Sequence, residues 1–244
     1  MQKLLVIIPA YNEQAAIRNT VEDLKANCPQ ADYVVVNDCS KDQTLQVLRE
    51  AEMNYLDLPL NLGIGGGVQT GFKYAQQNGY DIAVQFDGDG QHCADYIKHI
   101  VQPILDGEAD MVVGSRFLPS NKENTGFQSS CMRRLGIRII SKLIRLCTGK
   151  TIYDTTSGFR AFSKPMIALF ANNYAQDYPE PEALITAIYN GFRVKEVAVM
   201  MNERQGGVSS ISTLKSAYYM IKVTLAILII GMRLSGRRGG KSHV

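Results

Sequence analysis

The string FDGDGQH at residues 86–92 sets two carboxylates, Asp87 and Asp89, two positions apart with Gly88 between them, directly after the apolar run Ile82-Ala83-Val84. Such a run reads as a buried strand, so both carboxylates are expected where that strand reaches the surface. Gly88 lets the chain turn tightly enough for both to approach one hard cation, and Mg2+ or Mn2+ prefers oxygen ligands of this kind. Gln91 and His92 extend the cluster. Two protein carboxylates leave most of an octahedral shell open, and such sites complete it with water and nucleotide phosphates. A nucleotide-linked substrate follows. The competing reading is an acidic turn whose Asp and Gly serve only the turn dihedrals.

The elements that must position these groups alternate along the chain. Residues 4–11, 33–38, 53–58, 81–86 and 110–115 are continuous apolar runs, the pattern of strands buried on both faces. Residues 13–26, 42–51, 66–77 and 95–105 have helical length. Strands separated by single helices predict right-handed β-α-β units, an α/β fold with a mainly parallel central sheet. Ligands bind such sheets beyond the carboxyl ends of the strands, where PAYNE, NDCSKDQT and FDGDGQH all fall.

With 244 residues, 45% of them apolar, the chain can bury a substantial core and is neither disordered nor fibrous. Five cysteines, with no C-x-x-C pair, argue against a disulfide framework or structural zinc and for a reduced, cytoplasmic setting. LLVIIPAY reads as a first strand rather than a signal peptide. The net charge of +3 is unevenly spread. Residues 133–150 and 215–244 each hold six Lys or Arg and no acid, which leaves 14 bases against 23 acids elsewhere.

The motifs in their order resemble the family-2 glycosyltransferases of the GT-A fold, in the branch of dolichol-phosphate mannose synthases and bacterial polyprenyl-phosphate glycosyltransferases. The resemblance covers roughly residues 1–210 and rests on PAYNE (9–13), VNDCSKDQT (36–44), NLGIGGGVQTGF (61–72), DGDGQH (87–92), GSR (114–116) and TSGFRAF (156–162). It implies a catalytic domain over 1–210, with 211–244 as a basic, amphipathic appendage.

Residue by residue, the resemblance implies that Pro9, Tyr11 and Glu13 wrap the nucleotide base and ribose, where the alternative for Glu13 is a favourable first-turn position on a helix. Asp38 corresponds to the carboxylate that meets the base; a helix cap is its alternative. The glycines around Gly65 permit close backbone approach to a ligand ahead of a helix N-terminus, or else let that helix pack tightly; they match neither a P-loop nor the dinucleotide fingerprint. Asp87 and Asp89 become the metal and diphosphate site, with Gln91 as an extra ligand. Arg116 with Arg133 or Arg134 is expected to hold an acceptor phosphate, against surface salt bridging. Asp154, with Ser157, Gly158, Phe159 and Arg160, matches an acceptor-side loop. Glu180 and Glu182 lie where relatives carry an acid near the reacting sugar, and Pro181 between them leaves open which points inward. A hydroxyl acceptor requires one of them as general base; a phosphate oxygen requires none. Glu203, Arg204 and Gln205 correspond to a late loop over the diphosphate.

In residues 133–150 Arg134, Arg138, Lys142 and Arg145 recur at helical spacing, with Ile139, Ile140, Leu143, Leu146 and Cys147 filling the other side. A basic amphipathic helix of this kind binds anionic lipid surfaces, or else packs its apolar side on the core. The apolar core at 223–232 is about half of the roughly 20 residues that span a bilayer, so the C-terminal stretch is expected to be an interfacial anchor or to pair with a small membrane partner or another copy. The expectation is a metal-dependent, inverting transferase that moves a hexose from a UDP-sugar to a polyprenyl phosphate at the inner membrane face, for cell-envelope polysaccharide. Transfer to a hydroxyl of a lipid-linked glycan is the alternative. A sugar-phosphate nucleotidyltransferase would need an Arg- and Lys-bearing glycine-rich opening after the first strand, and no aromatic-interleaved strand face supports nucleic acid.

Overall fold

A computed structural model describes residues 2–119, 131–177, 179–202, 222–227 and 229. Its strands are β1 (Leu4–Ala10), β2 (Asp32–Asn37), β3 (Tyr55–Asp57), β4 (Ile82–Gln85), β5 (Met111–Ser115), β6 (Arg160–Ser163) and β7 (Val194–Ala198). The helices are α1 (Ile17–Asn27), α2 (Thr44–Glu50), α3 (Gly63–Gln77), α4 (Ile97–Leu105), α5 (Cys131–Thr148), α6 (Lys164–Asn172) and α7 (Pro179–Tyr189).

The strands form one sheet in the order β3-β2-β1-β4-β6-β5-β7. β1 lies parallel between β2 and β4, with Ile7 opposite both Val34 and Gln85. Its continuous apolar character follows from burial on both sides: Leu5 and Ile7 enter one core cluster with Phe72 and Phe162, while Val6 and Ile8 enter the other with Ile17 and Phe86. The sheet is mainly parallel, as the alternation of elements predicts, with one departure. β6 is antiparallel between β4 and β5. Its run Arg-Ala-Phe-Ser is short and opens on an arginine, so it carries little strand signal of its own.

α3 begins earlier than its sequence pattern predicts, because residues 63–67 form its first turns instead of a loop ahead of it. Glycine is tolerated there for a packing reason. A methyl at Gly71 would collide with Ile7 of β1, and one at Gly65 with the carbonyl oxygens of Ala175 and Gln176. At this stretch the close backbone approach is to the chain itself.

Helix α5 splits its apolar side. Ile137, Ile140 and Ile144 enter the core, whereas Leu135, Ile139 and Leu146 are 52%, 41% and 83% exposed. Ile139 and Leu146 therefore stand among the exposed Arg138, Lys142 and Arg145 rather than opposite them. In the segment 222–227, Val223 and Ile227 join the same core cluster as Ile140 and Ile144, and Lys222 pairs with Asp177 at 2.5 Å. Among the described residues no helix is long and apolar enough to cross a membrane.

Candidate active site

The first two loops beyond the carboxyl ends of β1 and β2 are laced together by reciprocal hydrogen bonds. Asn12 N donates to Ser40 Oγ (3.0 Å) and Lys41 N to Asn12 Oδ1 (2.8 Å); Gln14 N donates to Asp42 Oδ2 (3.2 Å) and Gln43 N to Gln14 Oε1 (2.8 Å). Asn12 and Cys39 both take φ of 57°, which short polar side chains tolerate best. Glu13 N donates to Thr44 Oγ1, and the Glu13 carbonyl accepts from Ile17 N at 2.9 Å, so Glu13 precedes α1 rather than lying in its first turn. Pro9 is buried in β1 and Tyr11 is exposed beside it.

Asp42, just ahead of α2, accepts through Oδ1 from the N–H of its first residue, Thr44, at 2.9 Å. That role is therefore filled without Asp38. Asp38 is buried instead, and its Oδ1 accepts from Leu62 N at 2.7 Å, which ties the end of β2 to the start of α3.

Beyond β4, Asp87 lies among Gln85, His92, Arg160 and Gly158. His92 is 4% exposed and stacks on Phe159 with centroids 4.9 Å apart. Its Nε2 is 3.2 Å from Asp87 Oδ2, within ion-pair reach but not aligned as a hydrogen bond. Burial works against the Asp87 charge, yet His92, with Gln85 and Arg160 behind it, holds that carboxyl below its ordinary value. A methyl at Gly158 would press on both Asp87 carboxylate oxygens, so the glycine keeps the carboxylate accessible. Asp89 Oδ1 accepts from Gln91 N at 3.1 Å across Gly90, whose φ is 76°. Among the described residues no group of three or more His, Cys, Asp or Glu forms a cage. An all-oxygen pair, Asp87 and Asp89, with the Gln91 amide beside it, fits a divalent cation that takes its remaining ligands from water and phosphate.

On the other flank Arg116 is 5% exposed and Asp154 is fully buried. Nε and Nη2 of Arg116 donate to the two Asp154 oxygens at 2.7 and 2.8 Å, and Arg116 N donates to Oδ2 at 3.0 Å. The surface salt bridging weighed for Arg116 is replaced by a buried pair. Its guanidinium lies 5.2 Å from the Phe117 ring centroid and that of Arg134 5.9 Å, so the two cations flank one ring at the head of α5. The Arg133 side chain lies outside the described residues, as do Glu203, Arg204 and Gln205.

Both glutamates lie in the first turn of α7. Arg160, fully buried on β6, donates from Nη1 to the Glu180 carbonyl at 2.7 Å and from Nε to the Ser157 carbonyl at 2.6 Å. Burial pushes the Glu180 carboxyl up, opposed by Arg160, and its further charged neighbours are Asp87 and Arg116. Glu182 is also raised by burial, but its neighbours are Asp177 and Lys222. Of the two, Glu180 has Asp87 and Arg116 among its charged neighbours, whereas Glu182 has Asp177 and Lys222.

One residue of this constellation escapes sequence reasoning: Glu196 of β7 accepts from Tyr153 N and Asp154 N, each at 2.8 Å. Its weak sequence signal is the single acid of the short run Val-Lys-Glu-Val-Ala in Val194–Ala198.

The sequence model of glycosyl transferase family 2 matches residues 5–170. The chain belongs to this family. It is 33% identical over 215 residues, 80% of the chain and 84% of the relative, to the UDP-N-acetylglucosamine–dolichyl-phosphate N-acetylglucosaminyltransferase of Methanococcus voltae. It is 29% identical over 235 residues, 91% of the chain and 86% of the relative, to the polyprenol monophosphomannose synthase of Mycolicibacterium smegmatis. Among solved structures, glucosyl-3-phosphoglycerate synthase from Mycobacterium tuberculosis, in complex with Mn2+, UDP and phosphoglyceric acid, superposes with a TM-score of 0.73 at 16% identity, over 94% of this chain and 78% of that one. That likeness concerns the fold, which is of the GT-A type. The protein is a family-2 glycosyltransferase.

Proposed function

We propose that this family-2 glycosyltransferase moves a hexose from a UDP-sugar to the phosphate of a polyprenyl phosphate at the inner membrane face, with inversion at the anomeric carbon. The observation that carries the reading is the juxtaposition of two opposite surfaces at one end of the sheet. The Asp87–Asp89 carboxylates suit a cation-bound diphosphate, and Arg116 with Arg134 around Phe117 suits an incoming phosphate.

Pro9, Tyr11, Glu13 and Asp38 would line the nucleoside from the first two loops, which their mutual hydrogen bonds hold in place before ligand arrives. Gly65 would contribute only through the position of the α3 N-terminus, and Arg204 as a diphosphate contact. Asp87 and Asp89, with Gln91 beside them, would hold Mg2+ or Mn2+, which when bound neutralises charge building on the departing nucleoside diphosphate. Arg116, kept in one orientation by Asp154, directs the acceptor phosphate oxygen to the anomeric carbon. That oxygen is already ionised and needs no base. The two curated relatives carry dolichyl-phosphate and polyprenol names, which supports the acceptor class.

The exposed outer stripe of α5, with Leu135, Ile139 and Leu146 among four cations, supports docking on an anionic bilayer where such an acceptor resides. The appendage at 211–244 would add to that contact or meet a small membrane partner.

Transfer of radiolabelled sugar from UDP-glucose, then from other UDP-sugars, to undecaprenyl phosphate in detergent, with and without EDTA, tests the proposal. A metal-dependent, organic-soluble, acid-labile product is expected; donor turnover without lipid product overturns the acceptor. The second reading, a hydroxyl of a lipid-linked glycan, is favoured by one observation: Glu180 has Asp87 and Arg116 among its charged neighbours and its carboxyl is raised, as a general base requires. It predicts that Glu180→Gln abolishes transfer, whereas the phosphate reading leaves transfer within about tenfold of wild type.

A further inference from the structure

We propose that Glu196 is a positioning residue for Arg116, acting through the backbone of Tyr153 and Asp154; the inference rests on Arg116 as the group that meets the acceptor phosphate. β7 runs parallel to β5 with Val113 opposite Glu196, so the Glu196 side chain leaves the sheet beside Val113, three residues before Arg116. Its two oxygens accept from two consecutive amides, Tyr153 N to Oε2 and Asp154 N to Oε1, both at 2.8 Å. One carboxylate bridging two adjacent N–H groups fixes a peptide plane in position and direction, and bonds to an ionised acceptor are the stronger kind.

The next link is the Asp154 side chain, which takes Arg116 by its backbone N, its Nε and its Nη2. Thr156 Oγ1 accepts from the same Nη2 at 3.1 Å. The head of Arg116 is therefore placed, through Asp154, by a residue on the sheet edge. Burial pushes the Glu196 carboxyl up and the two amides pull it back, so the anion and the loop hold one another. The adjacent Lys195 offers a contrast on the same strand. It makes an exposed pair with Glu108 at 2.6 Å, of the kind that contributes little.

The test is steady-state kinetics with undecaprenyl phosphate as the varied acceptor, together with calorimetric UDP binding in Mn2+, on Glu196→Gln, Arg116→Lys, the double variant and Lys195→Ala. The amide of Glu196→Gln keeps the shape but sets an NH2 against one of the two N–H groups, so the fold is retained while the clamp is halved. A rise of about tenfold or more in acceptor KM is expected for Glu196→Gln, with UDP affinity unchanged. The double variant should be no worse than Arg116→Lys alone, since both act on one linkage. Lys195→Ala should match wild type. A wild-type acceptor KM in Glu196→Gln beside a raised one in Arg116→Lys overturns the inference alone. Parallel losses in UDP affinity and acceptor KM in Glu196→Gln also overturn it, as general structural damage. A wild-type acceptor KM in Arg116→Lys overturns the reading of Arg116 and the inference with it.

Discussion

Arg116 and Asp154 form a buried, two-pronged pair, Nε to Oδ2 at 2.7 Å and Nη2 to Oδ1 at 2.8 Å. With side chains 4% and 0% exposed, neither charge has water to fall back on. Removing one partner strands the other, which costs about 3–5 kcal/mol in buried pairs. Asp154→Ala should therefore lower unfolding free energy by that amount in urea titrations. A loss below about 1 kcal/mol, the surface-pair range, would show that the pair is not buried in solution.

Asp89→Ala should cut turnover by about 10²-fold or more with Mn2+ supplied. The same variant should weaken Mn2+ binding read directly by electron paramagnetic resonance. Retained turnover and retained Mn2+ affinity would remove Asp89 from the cation site.

Glu180 gives a signed pH prediction. Its carboxyl is raised in the folded protein from 4.5, first by burial. Between about that pH and the folded value, the native state holds a proton that the unfolded chain has released, so stability falls as pH rises through the window. Glu180→Gln removes this dependence. Relative to wild type, the variant should gain stability with rising pH from 4.5 and then level off, as followed by urea midpoints across a pH series. A constant difference would contradict the buried placement.

At Gly65 a methyl group would strike the backbone carbonyls of Ala175 and Gln176, which have no rotamer to relax into. Gly65→Ala should cost about 1–3 kcal/mol in thermal or urea unfolding of the ligand-free protein. An unchanged Tm would mean that the glycine does not serve packing.

On α5, Ile139→Asp with Leu146→Asp should reduce binding to anionic vesicles in sedimentation assays, because both side chains stand outside the core. Arg138→Ala, Lys142→Ala and Arg145→Ala should each weaken it about fivefold, the equivalent of about 1 kcal/mol per cation. Salt-independent binding, or no change on substitution, would move the membrane contact elsewhere.

The sequence by itself determined the strand-and-helix alternation of the first half and the line of polar motifs at the strand ends. Continuous apolar runs such as residues 5–8 have no exposed face, and that alone places them inside a covered, largely parallel sheet. It also placed Asp87 and Asp89 together, because they are neighbours in the chain. Contacts between distant residues were decided by the tertiary structure. The antiparallel insertion of β6 brings Arg160 opposite Gln85 and sets it under Glu180. The first turn of α7 gives Glu180 the charged neighbours Asp87 and Arg116, and Glu182 the neighbours Asp177 and Lys222. β7 carries Glu196 to residues 153 and 154, more than 40 positions away. Side-chain type and local spacing fix which residues can bind a cation or a phosphate, whereas the direction of a buried carboxylate depends on which donors the packed sheet brings within hydrogen-bond reach.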